Sequence, residues 1–133
     1  MKAIVCTKYG PPEVLELKET PKPTPKDKEV LIRVKATSVT VADARVRGFN
    51  VPPSYWLPAR LALGITKPRK QVLGIEMSGI IEVVGNKVRK FKIGDEVYTT
   101  TIRFGGYAGY VCFSEKAAIA IKPKNISFEE AAT

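Results

Sequence analysis

The chemistry open to this chain is bounded first by the side chains it lacks. Its 133 residues include no histidine, which excludes imidazole zinc ligands and any Ser-His-Asp or Cys-His nucleophile. Its 2 cysteines, Cys6 and Cys112, are too few for a four-thiolate metal centre and too few for a disulfide framework. Among the carboxylates, Glu76 stands out because Ile75 and Met77 flank it in a run that reads as a buried strand. A carboxylate there needs a partner. Arg45 or Arg47 could supply one as an internal ion pair; acid–base work is the other option. Tyr55, Trp56 and Leu57 form a bulky apolar group that either packs down or lines something.

Charge sets a second bound. There are 22 Lys and Arg against 13 Asp and Glu, a net charge of +9. The basic residues spread along the whole chain, and the only dense group is Lys67-Pro68-Arg69-Lys70, with Arg60 nearby. Neither interleaved aromatics nor a nucleic-acid reading motif accompanies them, so the expectation is a solvated basic surface. The opening Met1–Lys8 has too short an apolar run for a signal peptide, and no stretch approaches the roughly 20 apolar residues of a membrane span. A soluble, cytoplasmic protein with free thiols is expected.

The elements that must position these residues read mostly as strands. Val30, Ile32, Val34 and Ala36 alternate with Leu31, Arg33, Lys35 and Thr37, close to a period of two, and Val14–Lys18 alternates in the same way. Further strands are expected at Lys2–Thr7, Gly79–Val84, Glu96–Thr101, Tyr107–Phe113 and Ala117–Lys122. Turn residues separate them at Gly10-Pro11-Pro12, Gly85-Asn86, Gly94-Asp95 and Gly105-Gly106, and the Pro-alternating run Thr20–Pro25 reads as an extended linker. Short strands with this punctuation predict an antiparallel barrel or sandwich.

Three helical segments interrupt the pattern. One runs from Thr40 to Arg47 and stops at Gly48, with Asp43 and Arg47 at the i, i+4 spacing of an ion pair. A second spans Pro58–Leu63, with Gly64 as its C-cap. The third is only begun: Ser127-Phe128-Glu129-Glu130 is a capping box with few residues behind it. So short a helix cannot repay its nucleation cost alone, which predicts a domain covering 1–126 and a linking helix starting at 127–133.

Three motifs carry a resemblance: Gly74-Ile75-Glu76-Met77-Ser78-Gly79 running on to Gly85, Lys92-Ile93-Gly94-Asp95-Glu96-Val97-Tyr98, and Phe104-Gly105-Gly106-Tyr107-Ala108-Gly109-Tyr110. With the opening Met1–Val5 followed by Gly10–Leu15, and the closing Ile126–Ala132, they span essentially the whole chain. In this order the sequence resembles the N-terminal GroES-like domain of the medium-chain dehydrogenase/reductase superfamily. It is most similar to the zinc-independent quinone oxidoreductase branch, often labelled NAD(P)-dependent alcohol dehydrogenase. The implied fold is mainly β, a partly open GroES-like barrel with two or three short helices.

The resemblance also implies a division of labour. This part supplies one wall of a small-molecule substrate cleft, while a Rossmann domain further along the chain binds NADP or NAD and, in the family, forms the homodimer. No G-x-G-x-x-G occurs in these residues, so inactivity of this part alone is expected. Zinc-dependent relatives place a ligand cysteine and a ligand histidine where this chain has Thr40 and Ile75, so no zinc is expected. In the quinone reductase branch an asparagine corresponds to Thr40 and a tyrosine to Arg45, both near nicotinamide and substrate. Thr40 is thereby a candidate for donating one hydrogen bond, its alternative being a plain N-cap. Arg45 is a candidate for stabilising an oxyanion or meeting cofactor phosphate, its alternative being a solvent-facing helix residue. Tyr55 and Trp56 lie in an insertion-like stretch, Phe49–Pro68, and become candidates for a substrate lid. Asp43, Glu76, Gly74, Gly79 and Gly106 read as structural. Without a Lewis acid, quinone or conjugated enone reduction is the implied reaction. Two other readings remain open: a free-standing GroES-like binding module, and a basic β-barrel that binds nucleic acid.

Overall fold

The computed structural model describes residues 1–133. The alternating runs become strands β1 (Lys2–Cys6), β2 (Leu15–Glu19) and β3 (Glu29–Thr37). Helices α1 (Val41–Gly48) and α2 (Trp56–Leu63) follow. Then come β4 (Glu76–Val84), β5 (Glu96–Thr100), β6 (Tyr110–Ser114), β7 (Ile119–Ile121) and the single-turn helix α3 (Phe128–Ala131). All seven expected strands form, although β6 starts three residues later than the sequence pattern places it. Thr20–Lys26 between β2 and β3 belongs to no helix or strand, as its prolines dictate.

Every strand pairing is antiparallel. The main sheet has the order β6-β3-β4-β5-β7, and β1 and β2 make a separate hairpin. Isolated bridges from Ala3 to Ala108 and from Val5 to Val72 tie that hairpin to the loops before β6 and β4. The sheets do not close into a barrel, so the fold is partly open. Two register shifts bend β3 against β4, between Leu31 and Ile32 and between Val34 and Ala36. Past Arg33 the strand outruns β6, which accompanies it only over Glu29–Arg33.

Alternation puts Val30 and Ile32 on the inner face of β3, where they meet Met77 and Ile81 of β4, Val97 of β5, Phe113 of β6, Ile119 of β7 and the loop residue Phe91. Each large side chain in such a cluster contributes about 1.5–3 kcal/mol relative to exposure. A smaller cluster of Cys6, Val14 and Leu73 fills the space under the hairpin. Close approach of the strands depends on Gly79: a Cβ there would run into the Arg33 carbonyl of β3.

The helices depart from expectation in detail. Gly48 is the last residue of α1, and Phe49 makes the left-handed turn that ends it, at φ 51°. A non-glycine residue pays roughly 1–2 kcal/mol for that conformation. Burial of the Phe49 ring offsets it: Tyr9 lies edge-on at 5.0 Å and the Arg60 guanidinium at 3.9 Å. Helix α2 buries none of its side chains. In α3, Ser127 accepts from the Glu130 amide at 3.1 Å as expected, but the returning glutamate bond is absent, so only half of the capping box forms. No helix is long and apolar enough to cross a membrane.

Candidate functional site

Thr40 caps α1 through a complete capping box with Asp43. The Asp43 amide donates to Thr40 Oγ1 at 3.2 Å, and the Thr40 amide donates to Asp43 Oδ2, also at 3.2 Å. The Thr40 hydroxyl then donates its proton to the same Oδ2 at 2.9 Å. Thr40 is thus an N-cap, one of its two expected readings, and its hydroxyl proton lies toward Asp43.

Asp43 is the hub of this region, at 2% exposure. Its other oxygen, Oδ1, accepts from the Gly74 amide at 3.0 Å, joining the start of α1 to the loop before β4. The expected Asp43–Arg47 ion pair does not form. Arg47 Nε donates instead to the Gly10 carbonyl at 3.3 Å, because the carboxylate is already occupied by backbone and hydroxyl donors. Gly74 adopts φ +100°, and a Cβ there would fall 2.8 Å from Gly106 Cα and from Tyr107. The Tyr107 hydroxyl is buried beside Asp43 without reaching hydrogen-bonding geometry with any partner. Burial first, and then the Asp43 carboxylate, push its pKa well up.

Glu76 also departs from expectation, since no arginine reaches it. Its Oε2 accepts from Ser38 Oγ at 2.7 Å, while its carbonyl accepts from Thr37 Oγ1 at 2.7 Å and from the Ser38 amide at 3.3 Å. Glu76 is only half-buried, so a hydroxyl partner suffices where a fully buried carboxylate would need a cation. Residues 37–43 are thus fastened to 74–76 at several points, and Thr40 sits half-exposed between the fastenings.

Arg45 is exposed, and lines a cavity of about 530 Å³ with Val46, Asn50, Val51, Pro52, Pro53 and Leu63. It approaches neither Glu76 nor any other carboxylate as an ion pair. Tyr55 and Trp56 follow directly on that cavity wall, at 65% and 49% exposure. Trp56 packs edge-on to Phe49 at 6.3 Å, and Arg60 stacks over the rings of Phe49, Tyr9 and Trp56. The structure therefore groups Arg45 with the Tyr55–Trp56 segment, and Thr40 with Asp43, Gly74 and Tyr107.

A largely apolar cavity of about 560 Å³ lies elsewhere, between the β1–β2 hairpin and the far end of β3. Leu15, Leu17, Val34, Val39 and Tyr107 line it; Thr40, Arg45, Tyr55 and Trp56 do not. No three His, Cys, Asp or Glu side chains converge anywhere in the chain. Sequence reasoning missed the reach of Asp43 to Gly74 and the role of Ser38. Thr-x-x-Asp is a legible cap signal, but the i, i+4 arginine drew the reading toward an ion pair.

Seven antiparallel strands in an open double sheet, with a short capped helix following β3 toward a polar cluster, define a GroES-like β-fold. The profile of the alcohol dehydrogenase GroES-like domain matches residues 26–123, and the chain belongs to that family. A quinone oxidoreductase from Sus scrofa is 33% identical over 99% of this chain, which corresponds to 36% of the relative's length. The chloroplastic NADPH-dependent alkenal/one oxidoreductase of Arabidopsis thaliana is 33% identical, over 99% of this chain and 33% of its own. The Escherichia coli quinone oxidoreductase solved with NADPH superposes with a TM-score of 0.80 at 29% identity, covering 99% of this chain and 36% of that one. The chain thus spans about a third of the length of the relatives it matches.

Proposed function

We propose that this chain forms the substrate-side wall of an NAD(P)H-dependent, zinc-independent oxidoreductase that reduces quinone, conjugated enone or carbonyl substrates. The observation that carries the reading is the match, over 99% of the chain, to proteins named quinone oxidoreductase and alkenal/one oxidoreductase. Residues 1–126 are the substrate-side domain, and α3 begins the passage to a cofactor-binding domain that the longer relatives have room for. The same reading makes the whole enzyme a cytoplasmic homodimer and this part inactive alone.

The residues fit such a role without a metal. Thr40 and Ile75 stand where zinc-dependent relatives carry thiolate and imidazole ligands, and neither residue type binds zinc. A bound nicotinamide would supply the hydride, and in a quinone or enone the developing negative charge is delocalised. Thr40 presents one free lone pair at a half-exposed position, which suits a polar group of the cofactor. Arg45, exposed and unpaired, offers a fixed positive charge for an oxyanion or a phosphate. Tyr55 and Trp56 offer apolar surface that keeps water from an apolar substrate.

The test on the full-length protein is NADPH oxidation with a panel of quinones and enones, and NADP+ reduction with simple alcohols, each with and without a zinc chelator. Turnover of quinones or enones that the chelator leaves unchanged is expected. Chelator-sensitive alcohol oxidation, or no dinucleotide binding, would overturn the proposal.

A further inference from the structure

We propose that Thr40 acts on its ligand as a hydrogen-bond acceptor only, and therefore meets an N–H or O–H donor rather than the substrate's carbonyl oxygen. This rests on the reading above that Thr40 faces cofactor and substrate. The argument is a count of one hydroxyl's capacity. A threonine hydroxyl has one proton and two lone pairs. The proton lies toward Asp43 Oδ2 at 2.9 Å, and one lone pair receives the Asp43 amide at 3.2 Å. One lone pair remains.

The proton cannot be lent out cheaply. Turning it toward a ligand would leave hydroxyl lone pairs facing a carboxylate oxygen 2.9 Å away, beside a side chain only 2% exposed. An unsatisfied contact of that kind costs more than an ordinary hydrogen bond returns. Asp43 cannot turn aside either, since Oδ1 is held by the Gly74 amide and Oδ2 by the Thr40 amide. Asp43 is thus a positioning residue that fixes the polarity of Thr40.

The consequence is a sorting of ligand groups. Quinone and enone oxygens only accept, so Thr40 cannot polarise them, and the oxyanion must be met by another donor. A carboxamide NH₂ or a sugar hydroxyl can donate to the remaining lone pair. In a nicotinamide dinucleotide the group that fits beside the reacting ring is the carboxamide NH₂.

The experiment compares binding of NADPH with its 3-acetylpyridine analogue, in which a methyl group replaces the amide NH₂ and the carbonyl stays. Dissociation constants are measured by calorimetry on the full-length protein, on Thr40→Ser and on Thr40→Val, with thermal melts confirming that each is folded. Thr40→Ala is the second deletion variant should the valine form fail to fold. Wild type and Thr40→Ser are expected to bind the analogue more weakly than NADPH. Deleting the hydroxyl should shrink that preference about fivefold, the effect of one neutral hydrogen bond. An unchanged preference in the deletion variants would overturn the acceptor assignment. Absence of binding of either dinucleotide to wild type would instead overturn the cofactor reading, and the assignment with it.

Discussion

The ammonium of Lys122 donates to the Ile126 carbonyl at 2.7 Å and to the Pro123 carbonyl at 3.1 Å, and so folds the chain leaving β7 into the turn that starts α3. Lys122 is 5% exposed, and Glu96 neutralises it at 3.2 Å. Ser78 of β4 adds a second tether by donating to the Phe128 carbonyl. A helix of one turn holds its place through these tethers, not through its own propensity.

Replacing Lys122 with methionine keeps the stem and strips both carbonyls of their donor. The expected loss is about 1–3 kcal/mol in urea unfolding. Glu96→Gln should cost less than that, because Glu96 is half-exposed and the amide oxygen can still accept from the ammonium. Equal losses in the two variants would mean that the ion pair, not the carbonyl bonds, holds the turn.

Removing the Tyr107 hydroxyl should be harmless. It is buried without a hydrogen-bond partner, so Tyr107→Phe is expected to be neutral or to stabilise by about 1 kcal/mol. Asp43→Ala, by contrast, leaves the Gly74 and Thr40 amides without acceptors, and about 3 kcal/mol or more should be lost. Chemical denaturation of both variants checks the contrast; a costly Tyr107→Phe would contradict it.

Stability should fall in alkali through Cys112. Burial, and then the Glu29 carboxylate, push its thiol up to about 11. The folded chain therefore keeps this proton after the unfolded chain has released it. The contribution is complete below about pH 8.5, the ordinary thiol value, and is lost as pH rises through about 11. Urea midpoints between pH 8 and 11 should fall more steeply in wild type than in Cys112→Ala. Parallel slopes would refute the assignment. The same protonation predicts slow alkylation of Cys112 at pH 8.

Tyr55→Ala and Trp56→Ala in the full-length protein should shift substrate preference while leaving it folded. Tyr55 is 65% exposed, and its truncation should cost no more than about 0.5 kcal/mol. Trp56 is the only tryptophan in these 133 residues, and the difference in fluorescence between wild type and Trp56→Ala isolates its emission and reports whether a substrate covers it. Loss of soluble protein, or emission blind to every substrate, would leave packing as the role of this segment.

What the sequence made legible follows from the range of the interactions. Strands showed themselves through period-two alternation, as at Val30–Thr37, and the α1 and α3 starts through caps acting over three residues. The partners of buried polar groups did not. Asp43 finds Gly74 across 31 positions and Ser38 finds Glu76 across 38, distances over which spacing carries no signal. Local spacing even misled, since Arg47 sits at the right interval from Asp43 but bonds to Gly10, 37 residues away. Arg60 stands four residues after Trp56 on α2, a spacing the sequence does show, but its place over Tyr9 and Phe49 is not legible there, because those rings come from other segments.

Gly74 and Gly106 confine one another. A Cβ on the first would strike the second's Cα at 2.8 Å, and a Cβ on the second would meet Thr37 Oγ1 at 2.8 Å and the Gly74 carbonyl at 3.2 Å. A side chain at Gly74 does not fit while the Gly106 backbone stays put, and one at Gly106 must displace the Thr37 hydroxyl, so the two loops are repacked together or not at all. For anyone remodelling this scaffold to take new substrates, the freedom lies in the Phe49–Pro68 excursion. The 74/106 contact behaves as a keystone for the two loops that meet there.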